Sequence, residues 1–356
     1  MEYDTAFFYF KEDFHNNSEN YAASKGIYDV DYCLQKILGD HYINNSNVSA
    51  IEVEDFSKIN KISYYFSGNK LKLLYTLMHT YNKKVFIQYP FYKGKVFDLA
   101  LKQFMKRNHV ILIVHDVDSI RMDVVNEKIE LDTLNLAKGL ILMQGNCMKT
   151  WLLRHGITVK NIITMDIYDY IVPPFAPENR FLGKEIAFAG NLRKSSFLEH
   201  IELLKNPFIL NLYGPFYEEK KERLSRNICY WGNYSPDIIP RVIKGSFGLI
   251  WDGESIETEK GSYGYYNKFN IPFKFPMYIV SGLPVICWSN AGIADYVRKY
   301  DLGICVKSLD ELSNKIDEIS PSRYREMLNN VLALRQRLMT GQIMQQAIKR
   351  AMNYYN

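Results

Sequence analysis

The sequence predicts an α/β protein of two similar domains, each wound on a parallel sheet with helices on both faces. Three observations carry that prediction. Short, continuous apolar segments alternate with helical periodicities along most of the chain, the pattern of strands buried on both faces. A proline cluster, Pro173, Pro174 and Pro177, interrupts the alternation, which then begins again. The 356 residues are enough for two cores of ordinary size.

The first sixty residues are the least patterned. A polar loop, Asn16-Asn-Ser-Glu-Asn20, leads into a helix at 22–38, which Gly39 can cap. Helix 71–80, strand 85–89, helix 96–106 and strand 110–114 follow. Then come helix 133–138, strand 139–142, helix 146–155 and strand 162–164. Residues 171–177 read as an interdomain linker. The second series has strands at 185–189, 208–213, 247–251, 284–288 and 303–306. Its helices lie near 197–205, 236–243, 276–281 and 293–300. From Leu309 onward the chain is mostly helical, and its last helix, 332–355, is expected to pack back across the linker. The domains are thus 1–170, with 340–356 packing back onto it, and 178–339. Ligands of such sheets sit at the carboxyl ends of strands, and the cleft between two facing domains is the default site.

Composition narrows the function. Hydrophobic residues make up 47% and charged residues 23%, as in a folded soluble protein. The net charge of +5 is spread along the chain, a bias toward anionic ligands or a membrane surface that is too weak to indicate nucleic acid. The 27 tyrosines suit stacking on bases and sugars, and equally an ordinary core. Five scattered cysteines without CxxC spacing predict buried, reduced thiols. The N-terminus carries no signal-like block, and no apolar run approaches a membrane span. The expected location is the cytoplasm, with contact to the inner face of the membrane through basic surface.

The most informative stretch begins at Phe247-Gly-Leu-Ile-Trp-Asp252. A long polar loop with Glu254, Tyr263, Tyr265 and Tyr266 follows, then Asn270-Ile-Pro-Phe-Lys274 and Tyr278-Ile-Val-Ser-Gly-Leu-Pro-Val-Ile286. Proline two residues before Lys274 places that lysine near the positive end of a helix, where an ammonium is unfavourable unless an anion binds. Earlier, Gly190-Asn-Leu-Arg-Lys-Ser195 joins a strand to a helix. Gly190 and Asn191 allow close approach, and Arg193 and Lys194 bring positive charge; a plain turn with solvated basic residues fits the same pattern. Tyr234, beyond the turn at Gly232, can cover a base or ribose, or be structural.

In the first domain, His115-Asp-Val-Asp-Ser-Ile-Arg121 ends the strongest strand. Asp116 can take a proton from an acceptor hydroxyl, with His115 or Arg121 orienting it. Asp116-Val-Asp118 imitates a DxD metal motif, but no third ligand is evident. Asp118 is also a simple N-cap for the next helix.

Taken together, the 115–121, 247–254, 270–274 and 278–286 stretches resemble the bacterial galactofuranosyltransferase family, which is related to the glucosyltransferases that extend GlcNAc on serine-rich adhesins. The resemblance runs across nearly the whole chain and is weakest before Ile62. It implies a GT-B fold: two Rossmann-like domains facing across a cleft, with a C-terminal helix crossing back. It implies a UDP-sugar-dependent hexosyltransferase with no essential metal and no cofactor beyond the donor. The acceptor would be a glycan or glycoprotein of the cell envelope. By motif match it assigns the donor to Lys194, Tyr234 and the segment Asn270, Ile271, Pro272, Phe273 and Lys274. Phe273 stands where histidine is expected in relatives, and Lys194 where the adhesin glucosyltransferases carry arginine. Hinge closure near Pro173–Pro177 would exclude water. Self-association into a homo-oligomer is left open. A degenerate subunit that binds a glycan or a partner transferase is the alternative. A nucleotide-sugar epimerase or dehydrogenase is disfavoured, since no GxGxxG follows the first strand and no YxxxK pair stands out.

Overall fold

The computed structural model describes residues 6–11, 22–44, 68–91, 93–122 and 125–354. Two compact units divide them. One takes the described residues within 1–17, 27–165 and 344–356, the other those within 18–26 and 166–343. The polar loop at 16–20 lies outside the described residues.

The first unit is built on β1 (Phe7–Lys11), β2 (Tyr42–Asn44), β3 (Lys84–Tyr89), β4 (His109–Val114), β5 (Gly139–Leu142) and β6 (Ile162–Thr164), in the order β2-β1-β3-β4-β5-β6. All neighbours run parallel. Apolar runs such as Val110–Val114 and Leu140–Leu142 are buried along their length, because helices cover both faces of the sheet.

The second unit holds β7 (Glu185–Ala189), β8 (Ile209–Tyr213), β9 (Ile228–Gly232), β10 (Phe247–Ile250), β11 (Val285–Trp288) and β12 (Gly303–Val306). The order is β12-β11-β10-β7-β8-β9, again all parallel. Strand order reverses between β7 and β10, so the loops leaving these two strands part to opposite faces and leave a crevice at their carboxyl ends. The two strands touch at Phe247 opposite Ile186 and Gly248 opposite Ala187. Tyr278 holds this junction. Its ring covers Gly248, where a Cβ would lie 2.3 Å from the ring. Its buried hydroxyl accepts from the Ala189 N–H (2.9 Å) and donates to the Leu249 carbonyl (3.1 Å), so one phenol stitches β7 to β10.

Several elements differ from expectation. The helix expected at 133–138 is Glu127–Leu134, started by the Asn126 side chain accepting from the Ile129 N–H at 3.1 Å. The single terminal helix is two, Pro321–Leu338 and Gln342–Asn353, with Gly341 between them at φ +72°. The long loop after β10 contains a short helix, Gly261–Asn267. The helix expected at 236–243 is a single turn, Ile239–Val242. Strands β1 and β2 were not predicted as elements, while β9 ends at Trp231-Gly232, where a strand end was expected. Of the cysteines, Cys147 and Cys229 are exposed, contrary to the expected burial.

The proline segment is irregular but fastened to the second unit. Phe175 lies between the guanidinium groups of Arg241 (4.6 Å) and Arg335 (4.4 Å). Arg241 donates to the Pro173 carbonyl, and Arg335 donates to those of Phe175 and Val280. These contacts anchor the segment that was expected as an interdomain linker to the second unit.

Candidate functional site

The crevice of the second sheet gathers most of the donor candidates. At the end of β7, Gly190 continues the ladder by donating to the Tyr213 carbonyl at 3.1 Å, and Gly214 donates to that of Gly232 at 3.0 Å. Gly214 has φ +136°, and a Cβ there would meet the Gly190 carbonyl oxygen at 1.9 Å, so only glycine lets the two strand ends touch. Close approach at Gly190 is made by the protein itself: a Cβ there would lie 2.9 Å from Cε of Lys274.

Lys274 is the first residue of the helix Lys274–Val280. Its Nζ lies 5.2 Å from the centre of the Phe188 ring and is ion-paired to Asp252, two residues beyond the end of β10. One carboxylate thus already neutralises the lysine that the sequence left facing a positive helix end.

Asp252 is itself held. Its N–H donates to Oε1 of Glu259 at 3.0 Å, and the Asn267 amide reaches Oε2 of Glu259 (3.1 Å) and Oδ2 of Asp252 (3.5 Å). Glu259 is buried, and burial followed by the nearby Asp252 charge pushes its carboxyl up to about 8. Sequence reading passed over both Glu259 and Asn267. Nothing in the local pattern marks a glutamate as buried; Gly253 and Gly264 are the only trace, since a Cβ at either would strike the Glu259 backbone within 2.5 Å.

The loop after β7 forms a single turn. The Asn191 side chain accepts from the Arg193 N–H at 3.1 Å and so caps that turn. Arg193 pairs with Glu219 and stacks on Phe216 at 3.9 Å. Lys194 is exposed, with its Nζ 5.0 Å from the centre of the Tyr263 ring, and so spans from the β7 loop to the β10 loop across the crevice. Tyr234 packs against Gly232 near Tyr213 (rings 6.3 Å apart) and keeps 37% of its surface exposed.

Within 270–274 the roles divide. Ile271 is in the core and Pro272 is buried. Phe273 packs against Tyr168 (5.8 Å) and Tyr170 (5.2 Å), which accounts for an aromatic ring at that position. Asn270 keeps a buried Oδ1 with no hydrogen-bond partner, an acceptor whose lone pairs are unused in the structure.

In the first unit, His115 extends the β3–β4 ladder through its N–H to Tyr89. Its Nε2 donates to Gln88 (2.6 Å), whose amide donates on to Asp31 (2.7 Å). Burial pushes the imidazole down to about 4, so it is neutral at physiological pH. Asp116 and Asp118 both engage the Arg121 guanidinium at 2.7 Å. Asp118 is not the N-cap of its turn: Glu130 accepts from the N–H groups of Asp118 (3.0 Å) and Ser119 (2.7 Å). Among the described residues, no cluster of three or more His, Cys, Asp or Glu is arranged to hold a metal ion, and no helix is long and apolar enough to cross a membrane.

Comparison with known proteins decides the family. The glucosyltransferase 3-like N-terminal domain matches residues 36–167, and the C-terminal domain of the same family matches residues 186–351. The chain belongs to the glucosyltransferase 3-like family. Its similarity to β-1,6-galactofuranosyltransferase WbbI of Escherichia coli K12 is 28% identity, over 77% of this chain and 80% of that protein. With glucosyltransferase 3 of Streptococcus gordonii it shares 26% identity, over 70% and 73%. The resemblance read from the 115–121, 247–254 and 270–286 stretches is therefore correct. In structure it matches HepE of Anabaena, solved with UDP-glucose, with a TM-score of 0.62 over 98% and 99% of the two chains. At 11% identity that likeness speaks for the GT-B fold alone. This family member is a glycosyltransferase.

Proposed function

We propose that the protein moves a glucosyl or galactofuranosyl group from a UDP-sugar to a hydroxyl of a glycan acceptor, in the making of a cell-surface polysaccharide or glycoprotein. The observation that carries this reading is Lys274. It is an ammonium at the start of a helix, at the β7–β10 crevice, in a member of a glycosyltransferase family. Lys274 and Lys194 supply the charge that a departing nucleoside diphosphate requires, and helix N–H groups add to it. Protein cations alone neutralise the diphosphate in this proposal, and the donor is the only small molecule it calls on. Asn270 offers an acceptor to a donor hydroxyl, and Tyr234 a face to the base.

In the first unit, Asp116 is the proposed base for the acceptor, oriented by Arg121. A cytoplasmic location at the inner face of the membrane completes the proposal, supported by the net charge of +5. The names of the two relatives divide between galactofuranose and glucose. Thermal-shift titrations of the purified protein with UDP-glucose, UDP-galactopyranose, UDP-galactofuranose and UDP-GlcNAc discriminate the donor. A specific upward shift with UDP-glucose or UDP-galactofuranose supports the reading, and no shift with either counts against it.

A further inference from the structure

The loop after β10 carries a chain of polar side chains that ends on Lys274: Glu259, Asn267, Asp252, then the ammonium. We propose that Glu259 is a positioning residue for the donor site, which through Asn267 and the Asp252 N–H fixes the Asp252 carboxylate against Lys274 and thereby sets how available that ammonium is to a diphosphate. The inference rests on the reading that Lys274 meets the donor's diphosphate.

The geometry is specific. Glu259 is 4% exposed, and its two oxygens have separate tasks, one on the Asp252 backbone and one on the Asn267 amide. Gly253 and Gly264 close over its backbone, where a Cβ on either would clash. The titratable groups that bear on it are Asp252, Lys274 and Cys287. Contact with Cys305, and then burial, raise the Cys287 thiol, which stays neutral.

With Glu259 protonated, Lys274 faces one carboxylate charge and the pair is neutral. With Glu259 ionised, the same volume carries one excess negative charge, which both holds Lys274 and repels a diphosphate. Donor affinity is therefore expected to fall as pH rises through about 8. A carboxamide at this position keeps the Asp252 contact and cannot ionise.

The experiment is UDP affinity by titration calorimetry from pH 7 to 9, for the wild type, Glu259→Gln, Glu259→Ala and Lys274→Ala. The probe's own titration is common to all four proteins, so differences among them isolate the side chains. The expected result is a wild-type affinity that weakens roughly tenfold across the window while Glu259→Gln stays level. At pH 7 Glu259→Gln should match the wild type, and Glu259→Ala should bind several-fold more weakly. Parallel pH profiles for wild type and Glu259→Gln, with Lys274→Ala still impaired, overturn the role of Glu259 alone. Undiminished UDP affinity in Lys274→Ala overturns the underlying reading of the site.

Discussion

Lys274 and Asp252 form an ion pair that ties the first residue of a helix to the end of β10. The pair resolves a conflict in the sequence, a cation at the positive end of a helix, by placing a carboxylate beside it. It also makes the ammonium an exchangeable group, since a bound diphosphate would compete with Asp252 for it.

Gly190 and Gly214 should respond differently to the same substitution. In Gly190→Ala the new methyl meets the flexible stem of Lys274 at 2.9 Å, so the lysine moves and the fold stays. We expect several-fold weaker UDP binding with little change in Tm. In Gly214→Ala the methyl meets a backbone oxygen at 1.9 Å, at φ +136°. We expect a loss of at least ~3 kcal/mol in stability, measured by urea denaturation.

Tyr278→Phe tests the stitch between β7 and β10. The ring stays over Gly248, but the Ala189 N–H and the Leu249 carbonyl lose their shared partner in a buried place. A loss of about 1–3 kcal/mol is expected, read as a lower denaturation midpoint. An unchanged midpoint would mean that the phenol does not hold the crevice.

Stability should carry the mark of Glu259. Its carboxyl ionises near 4.5 when unfolded and at about 8 when folded. Below pH 4.5 both states are protonated and its contribution is complete. As pH rises, the unfolded state releases the proton first, and about 1.4 kcal/mol of stability is lost per pH unit until the folded carboxyl ionises too. The Tm of Glu259→Gln should therefore gain on the wild type from pH 5 to 8 and then level off. A constant difference across that range is the contrary result.

Asp116→Asn tests the proposed base. The carboxamide keeps the shape beside Arg121 but accepts a proton poorly. A fall in kcat of about 100-fold or more is expected, with UDP affinity unchanged. Equal kcat in the variant would assign the proton to another group.

The alternation of apolar strands and helices was legible because strands buried on both faces read as unbroken apolar runs, as at 110–114 and 285–288. The first two strands were not, since Phe7–Lys11 and Tyr42–Asn44 are short and flanked by polar sequence without a clear period. Lys274 stood out through Pro272, which fixes the helix start. Glu259 did not, because a buried carboxylate looks like any other until its partners, Asp252 and Asn267, fold onto it from seven and eight residues away. Asp118 misled for a related reason: the cap came from Glu130, twelve residues on, where local spacing rules do not reach.

The proposed function depends on Lys274 holding the diphosphate of a UDP-sugar donor. The decisive experiment is the UDP dissociation constant of wild type and Lys274→Ala at one pH, with the Tm of both as a control for folding. Specific UDP binding by the wild type, weakened tenfold or more in the variant at a similar Tm, is expected. Equal affinities in two folded proteins would contradict it.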